Sequence, residues 1–221
     1  MAGQMLRTIE LLLGRPYVYR ALRKLTGSDR VNREFVEKYV RPRSGDLVLD
    51  VGCGPADVLA WMPQVTYIGV DASPDYIAAA RRRYGENATL ICGDINDLAQ
   101  KHSAAFDAII CMGVIHHLND DEVLGLLQSA RNLLKPSGRF VSYDPCFAEP
   151  QHRVARWILR HDRGNFVRFD HQYEDLISRV FPTYRREVRT DLCAVPATVI
   201  VFDCDAPAPE DKGSVRLTAE T

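Results

Sequence analysis

The stretch Leu47-Val48-Leu49-Asp50-Val51-Gly52-Cys53-Gly54-Pro55-Ala56-Asp57 decides the fold. An apolar, β-branched run ends in an acid, and two glycines one residue apart open the next element. Such a continuous run reads as a strand buried in a parallel sheet rather than as an alternating, half-exposed one. Glycine directly after it lets the chain turn tightly and brings the backbone close to a ligand. The element that follows reads as a helix, whose unpaired N–H groups and positive dipole end face the turn. The stretch is a cradle of the kind that holds a nucleotide-type cofactor.

Working outward, strands and helices alternate. After the strand Leu47 to Val51 comes a short helix from about Pro55 to Trp61, then a strand Tyr67 to Val70. A helix Pro74 to Tyr84 follows, with Ser73 as N-cap and Pro74 at its first position. Next come a strand Thr89 to Cys92, a helix Ile95 to His102 and a strongly apolar strand Asp107 to Met112. A helix Asp120 to Leu134 begins with acids, stops at Lys135-Pro136-Ser137-Gly138, and leads into a strand Arg139 to Tyr143. This rhythm means βαβ units with right-handed crossovers. Past Asp144 the rhythm breaks into an irregular insertion over residues 146–170, rich in arginine. A helix Asp170 to Val180 then precedes strands Tyr184 to Arg189 and Thr198 to Asp203, too close for a helical crossover and therefore antiparallel. The expected fold is α/β: a Rossmann-like, doubly wound, mostly parallel seven-stranded sheet with an antiparallel last strand.

Residues 1–44 read as a helical cap and residues 205–221 as a disordered tail, with the main domain at 45–204 between them. The cap is either a packing layer or a lid over the cofactor mouth, with Tyr17 and Tyr19 as lining residues in the second case. At 221 residues the chain suits one large domain, and a net charge of −1 gives no field for nucleic acid. The six cysteines contain no C-x-x-C pair, which points to a reducing compartment. No segment approaches a transmembrane length. The expectation is a soluble, cytoplasmic protein with no membrane partner, its oligomeric state left open.

The cradle could serve several adenosine cofactors. A dinucleotide site wants G-x-G-x-x-G, and here the third position is Asp57. Asp71, closing Tyr67-Ile68-Gly69-Val70-Asp71, can accept both hydroxyls of an adenosine ribose, through charge-assisted bonds of about 1.5–3 kcal/mol each. Asp50, one step before the glycines, points negative charge to where a dinucleotide carries its pyrophosphate. A cationic or zwitterionic ligand tolerates it better.

Five segments then line up in order: V-L-D-V-G-C-G-P-A-D, I-G-V-D-A-S, C-G-D-I, F-D-A-I-I-C-M-G-V-I-H-H-L and L-L-K-P-S-G-R-F. Together they resemble a class I S-adenosylmethionine-dependent methyltransferase of the bacterial small-molecule type, over residues 45–144. The resemblance implies S-adenosyl-L-methionine as cofactor. It places Asp50, Gly52 and Gly54 around the methionine part, and Asp71 on the ribose. It places Asp94, Ile95 and Ala72 around the adenine, with Cys111 and Met112 near the methionine chain. Asp94 also reads as a plain N-cap of the next helix. The family usually has a third glycine where this chain has Ala56, which fits if its φ is negative.

Methyl transfer is an in-line displacement in which alignment supplies much of the rate. A protonated acceptor also needs a base. His116 and His117 fall just past the fourth strand, at the carboxyl edge where such sheets bind ligands. Adjacent residues point apart, so one of them faces the acceptor; the expected base is His117, with Asp144 after the fifth strand as its partner or a second base. Both histidines also read as structural. No metal site is expected, since no cysteine or carboxylate cluster completes one. Within the insertion, Arg163 and Arg168 are candidates for holding an anionic acceptor, or members of a solvated helix face. The expected reaction is O-methylation of a sugar or carboxylate-bearing metabolite. The alternatives are N-methylation of a small amine, an NAD-type oxidoreductase, and a non-catalytic cofactor-binding module.

Overall fold

The computed structural model describes residues 28–99, 104–161, 164–193 and 196–206. The first helix, α1 (Ser28–Glu34), continues as a wide π turn over Phe35–Val40, closed by the bond from the Arg41 N–H to the Val36 carbonyl. Phe35, Val36, Tyr39 and Val40 are buried against one face of the sheet, and Phe35 meets Tyr143 edge-on at 6.0 Å. This part of the cap is a packing layer on the sheet. Tyr17 and Tyr19 lie outside the described residues, as do residues 207–221 of the expected tail.

The sheet has seven strands: β1 (Leu47–Val51), β2 (Thr66–Asp71), β3 (Thr89–Cys92), β4 (Phe106–Met112), β5 (Leu134–Pro145), β6 (Tyr184–Arg189) and β7 (Val199–Asp205). Their order is β3-β2-β1-β4-β5-β7-β6, and β7 runs antiparallel to both of its neighbours. The fold expected from the sequence is therefore the fold observed. β1 pairs in parallel with β2 on one side and β4 on the other, so the strand order reverses at β1. The crevice for a ligand opens outside the carboxyl ends of the strands at such a switch point.

Four helices besides α1 bear on the site: α2 (Pro74–Tyr84), α3 (Ile95–Ala99), α4 (Asp120–Leu133) and α5 (Arg153–Leu159). A further helix, α6 (Asp170–Ser178), packs beside α4. α4 buries Val123, Leu126, Leu127, Ala130 and Leu133, the spacing of a single helical face. Each fully buried leucine or valine there is worth about 1.5–3 kcal/mol. No described helix is long and apolar enough to cross a membrane.

Three local departures from the sequence reading have clear causes. The helix expected from Pro55 is a 3₁₀ turn over Asp57–Trp61, because the chain turns left-handed at Gly52 (φ 67°), Gly54 (φ 53°) and again at Ala56 (φ 56°). The negative φ expected for Ala56 is thus overturned. A left-handed alanine costs roughly 1–2 kcal/mol. A glycine there would forgo burial of a methyl, about 0.8 kcal/mol, and lose about 0.5–1 kcal/mol more entropy on folding, so the two choices nearly balance. Finally, β5 begins at Leu134 rather than Arg139: Leu134 pairs with Phe106, the four residues 135–138 bulge out, and pairing resumes at Arg139 with Ala108.

The start of α4 carries a complete capping box. Asn119 Oδ1 accepts from the Glu122 N–H at 3.0 Å, and Glu122 Oε2 accepts from the Asn119 N–H at 2.8 Å. Asn119→Ala should lower unfolding free energy by about 1 kcal/mol. Urea denaturation checks this, with an unchanged m-value expected.

Candidate active site

A cavity of about 540 Å³ opens beside the turn after β1, between the ends of β1 and β2 and helices α3 and α4. Gly52, Asp71, Ala72, Asp94 and Ile95 all line it. The Asp71 carboxylate organises the mouth: Oδ2 accepts from the Gly54 N–H and Oδ1 from the Ser73 N–H, each at 2.8 Å. A carboxylate offers about four lone-pair sites, so capacity remains for a diol. Gly52 is required by contact as well as by φ, since a Cβ there would lie 2.3 Å from Val114 Cγ2. Asp94 accepts from the Asn96 N–H at 2.7 Å, so it caps α3 while facing the cavity.

The lining carries four carboxylates (Asp71, Asp94, Asp121 and Glu122) and, among the described residues, no lysine or arginine. That field suits a cation or zwitterion and opposes a pyrophosphate. The residues present fit S-adenosylmethionine and fit a dinucleotide poorly.

Four expected cofactor residues sit elsewhere than on this lining, and Gly54, the first of them, meets it only through its N–H on Asp71. Asp50 is buried and accepts from the Tyr67 hydroxyl at 2.6 Å, on the α1 face of the sheet beneath the glycine turn. Cys111 is wholly buried among the residues under α4, where burial pushes its thiol far up. Met112 packs half-buried with the α1-side cluster. Alternation along β4 sends these two neighbours to opposite faces.

The histidine pair is carried on a single 3₁₀ turn, Ile115–His117. His116, not His117, meets Asp144: its Nδ1 lies 2.8 Å from Asp144 Oδ1, and its backbone N–H donates to the same oxygen at 3.1 Å. The expected pairing with His117 is corrected. The turn directs the first ring inward, whereas His117 is exposed and lays its ring against that of His116 at 4.0 Å. Asp144 is fully buried, and burial holds its carboxyl above the usual range, while the His116 contact pulls the other way. Its Oδ2 has no hydrogen-bond partner among the described residues.

The insertion folds back over this turn. The Phe166 N–H donates to the His116 carbonyl at 3.0 Å. A Cβ on Gly164 would lie 2.1 Å from the imidazole Cδ2, so only glycine allows the segment so close. Arg168 is buried rather than offered to an acceptor: its guanidinium is taken up by Asp120 and by three backbone carbonyls. The expected anion contact by Arg168 is withdrawn on that ground. Arg163, like Tyr17, lies outside the described residues.

Residues 48–138 match the family described as methyltransferase domain. A ubiquinone biosynthesis O-methyltransferase of Xylella fastidiosa is 37% identical over 160 residues, covering 66% of this chain and 61% of that protein. A probable tRNA methyltransferase 9B of Mus musculus is 34% identical over 113 residues, or 50% of this chain and 24% of that one. The solved complex of the Haloferax volcanii Trm112 methyltransferase activator with the putative methyltransferase shares the fold. Its TM-score is 0.70 at 16% identity, over 88% of this chain and 94% of that one. Residues 48–138 thus carry a methyltransferase domain, in the fold shared by that solved neighbour. The chain spans 61%, 48% and 46% of the lengths of three ubiquinone biosynthesis O-methyltransferases that it matches.

Sequence alone does not mark Val114, Gly164 or the acids Asp121 and Glu122. In the sequence these acids read only as a favourable first turn of a helix. Gly164 was one letter in an arginine-rich run, with no signal to tie it to a histidine 48 positions earlier. Asp71→Ala should weaken S-adenosylhomocysteine binding about tenfold or more, because the anchor of the glycine turn is lost together with the carboxylate expected to meet the ribose. Calorimetry reads this directly, and affinity unchanged within twofold would remove Asp71 from the site.

Proposed function

We propose that this chain transfers a methyl group from S-adenosylmethionine to a hydroxyl of a small-molecule acceptor, with His116 as general base and Asp144 as its partner. The observation that carries the proposal is the buried contact of His116 Nδ1 with Asp144 at the carboxyl edge of β4 and β5. When bound, S-adenosylmethionine supplies an electrophilic methyl on a sulfonium with a good leaving group. The chain's part is to bind, align and deprotonate.

Asp71 would take the ribose diol, Ala72, Asp94 and Ile95 the adenine, and Gly52 and Gly54 the methionine end. Asp50, held by Tyr67 under the turn, would support that end from below rather than touch it. Cys111 and Met112 would shape the floor. With Nδ1–H assigned to Asp144, the basic nitrogen of His116 is Nε2, which can accept the hydroxyl proton as the methyl bond forms. Asp144 then faces an imidazolium, which stabilises the developing charge. The ring of Phe166, 40% exposed next to the His116 backbone, offers a flat apolar contact. An aromatic or sugar hydroxyl suits this wall, and the O-methyltransferase relative points the same way.

The test is incubation with S-adenosylmethionine and a probe set of catechol, 3,4-dihydroxybenzoate, a free pyranose and a primary amine, with products read by mass spectrometry. Methylated hydroxyl probes are expected, and transfer to the amine alone would replace O- by N-methylation. His116→Gln should cut kcat by about 100-fold or more. Affinity for S-adenosylhomocysteine should stay within twofold. His117→Gln should be mild. Full turnover in His116→Gln would take His116 out of the chemistry.

A further inference from the structure

Arg168 is 7% exposed, and its guanidinium reaches four separate acceptors. Nε and Nη2 both donate to Asp120 Oδ1, at 2.9 and 2.6 Å. Nη2 also donates to the Leu118 carbonyl at 2.8 Å, while Nη1 donates to the carbonyls of Phe166 at 3.1 Å and Ile115 at 3.3 Å. Ile115 and Leu118 flank the two histidines, so the guanidinium plane spans the turn that carries them. The Arg168 carbonyl in turn accepts from the Phe147 N–H at 2.9 Å, three residues beyond Asp144. The side chain thus ties the His116 turn to the start of α4, and the backbone of the same residue holds the chain leaving β5.

This arrangement is a poor way to gain stability alone. Withdrawing a guanidinium from water costs several kcal/mol, and a buried ion pair often does no better than apolar packing of equal volume. The Asp120 side chain keeps 70% of its surface exposed, which weakens the attraction further. What the planar fork does supply is fixed geometry, with several donors held in one plane, which an ammonium cannot imitate.

We propose that Arg168 is the positioning residue of the His116–Asp144 pair: it locks the 3₁₀ turn so that His116 Nδ1 meets Asp144 and Nε2 faces the acceptor. The proposal rests on the reading of that pair as the base. Through the Phe166 carbonyl and the Gly164 contact it also couples the covering segment to the base, so that segment and base are set together.

The test reads the hydrogen bond itself and needs no acceptor. Full-length protein labelled with ¹⁵N-histidine should show a low-field, slowly exchanging Nδ1–H, assigned by its absence in His116→Gln. Arg168→Met should abolish it while bound S-adenosylhomocysteine still protects the fold, and Arg168→Lys should fail to restore it. Arg153→Met, an exposed arginine of the same segment, should leave it unchanged. Should Arg168→Met not fold, Asp120→Asn decides, and there the Nδ1–H should exchange about tenfold faster than in the unaltered protein. A signal that persists unaltered in folded Arg168→Met, or in Asp120→Asn, overturns the proposal and leaves the base reading standing. Absence of the signal from the unaltered protein takes down the base reading, and the proposal with it.

Discussion

The Asp71 carboxylate receives the Gly54 N–H on one oxygen and the Ser73 N–H on the other, and the shape of the cofactor mouth depends on that pairing. The turn after β1 passes through three left-handed residues within five positions, so its backbone cannot pair with itself as a helix would. Something outside the turn must satisfy its donors. The end of the adjacent strand does so, with the Val70 carbonyl taking the Gly52 and Cys53 N–H groups and the Asp71 carboxylate that of Gly54, because β1 and β2 run in parallel register and their ends lie side by side. The same register places Asp71 between the turn and the start of α2. Turn, strand end and helix start are one unit, and the cavity is its open side.

Charge then selects what the cavity can hold. Four acids line it, one at the end of β2, one capping α3 and two in the first turn of α4. The two in α4 already suit the positive end of their helix, and Glu122 is also part of its capping box. Their placement is therefore satisfied without a ligand, while their field still reaches the cavity. A ligand with a sulfonium and an ammonium gains from that field, and one with a pyrophosphate loses.

Much of this was legible from the chain because it is local. The apolar run of β1, the paired glycines, Asp71 closing the next strand and Ser73-Pro74 opening α2 are signals within a window of a few residues. The mostly parallel sheet follows from their alternation. What was not legible depended on contacts far apart in sequence. Which of two adjacent histidines meets Asp144 is set by a 3₁₀ turn three residues long, and a rotation of one residue exchanges their roles. The role of Arg168 is set by partners some 50 positions earlier, so its place in a basic series suggests an anion contact and gives no sign of the buried one. Ala56 misled for another reason: its conformation follows from the route of the turn, and the penalty is nearly matched by the burial of its methyl.

The two halves of the site follow opposite electrostatic logic, and the sheet explains why. On the cofactor side the acids are exposed or half-buried and spread round a wide mouth, so they act as a field. At the His116 turn, the proposed acceptor side, a single carboxylate is wholly buried, and its ionised form depends on what it touches. One oxygen of Asp144 takes two bonds from His116, and the other has no partner among the described residues. Burial without full satisfaction costs on the order of 1–3 kcal/mol. Such a cost is tolerable where it keeps the carboxylate poised to strengthen its contact as a neighbouring imidazole gains charge. That requires the histidine to be held at one distance and angle through the reaction. The segment over the turn supplies this restraint, with Gly164 against the ring, the Phe166 N–H on the His116 carbonyl and Arg168 across the turn. The irregular part of the chain is therefore the part that fixes the geometry most closely, while the regular sheet beneath it serves as the frame.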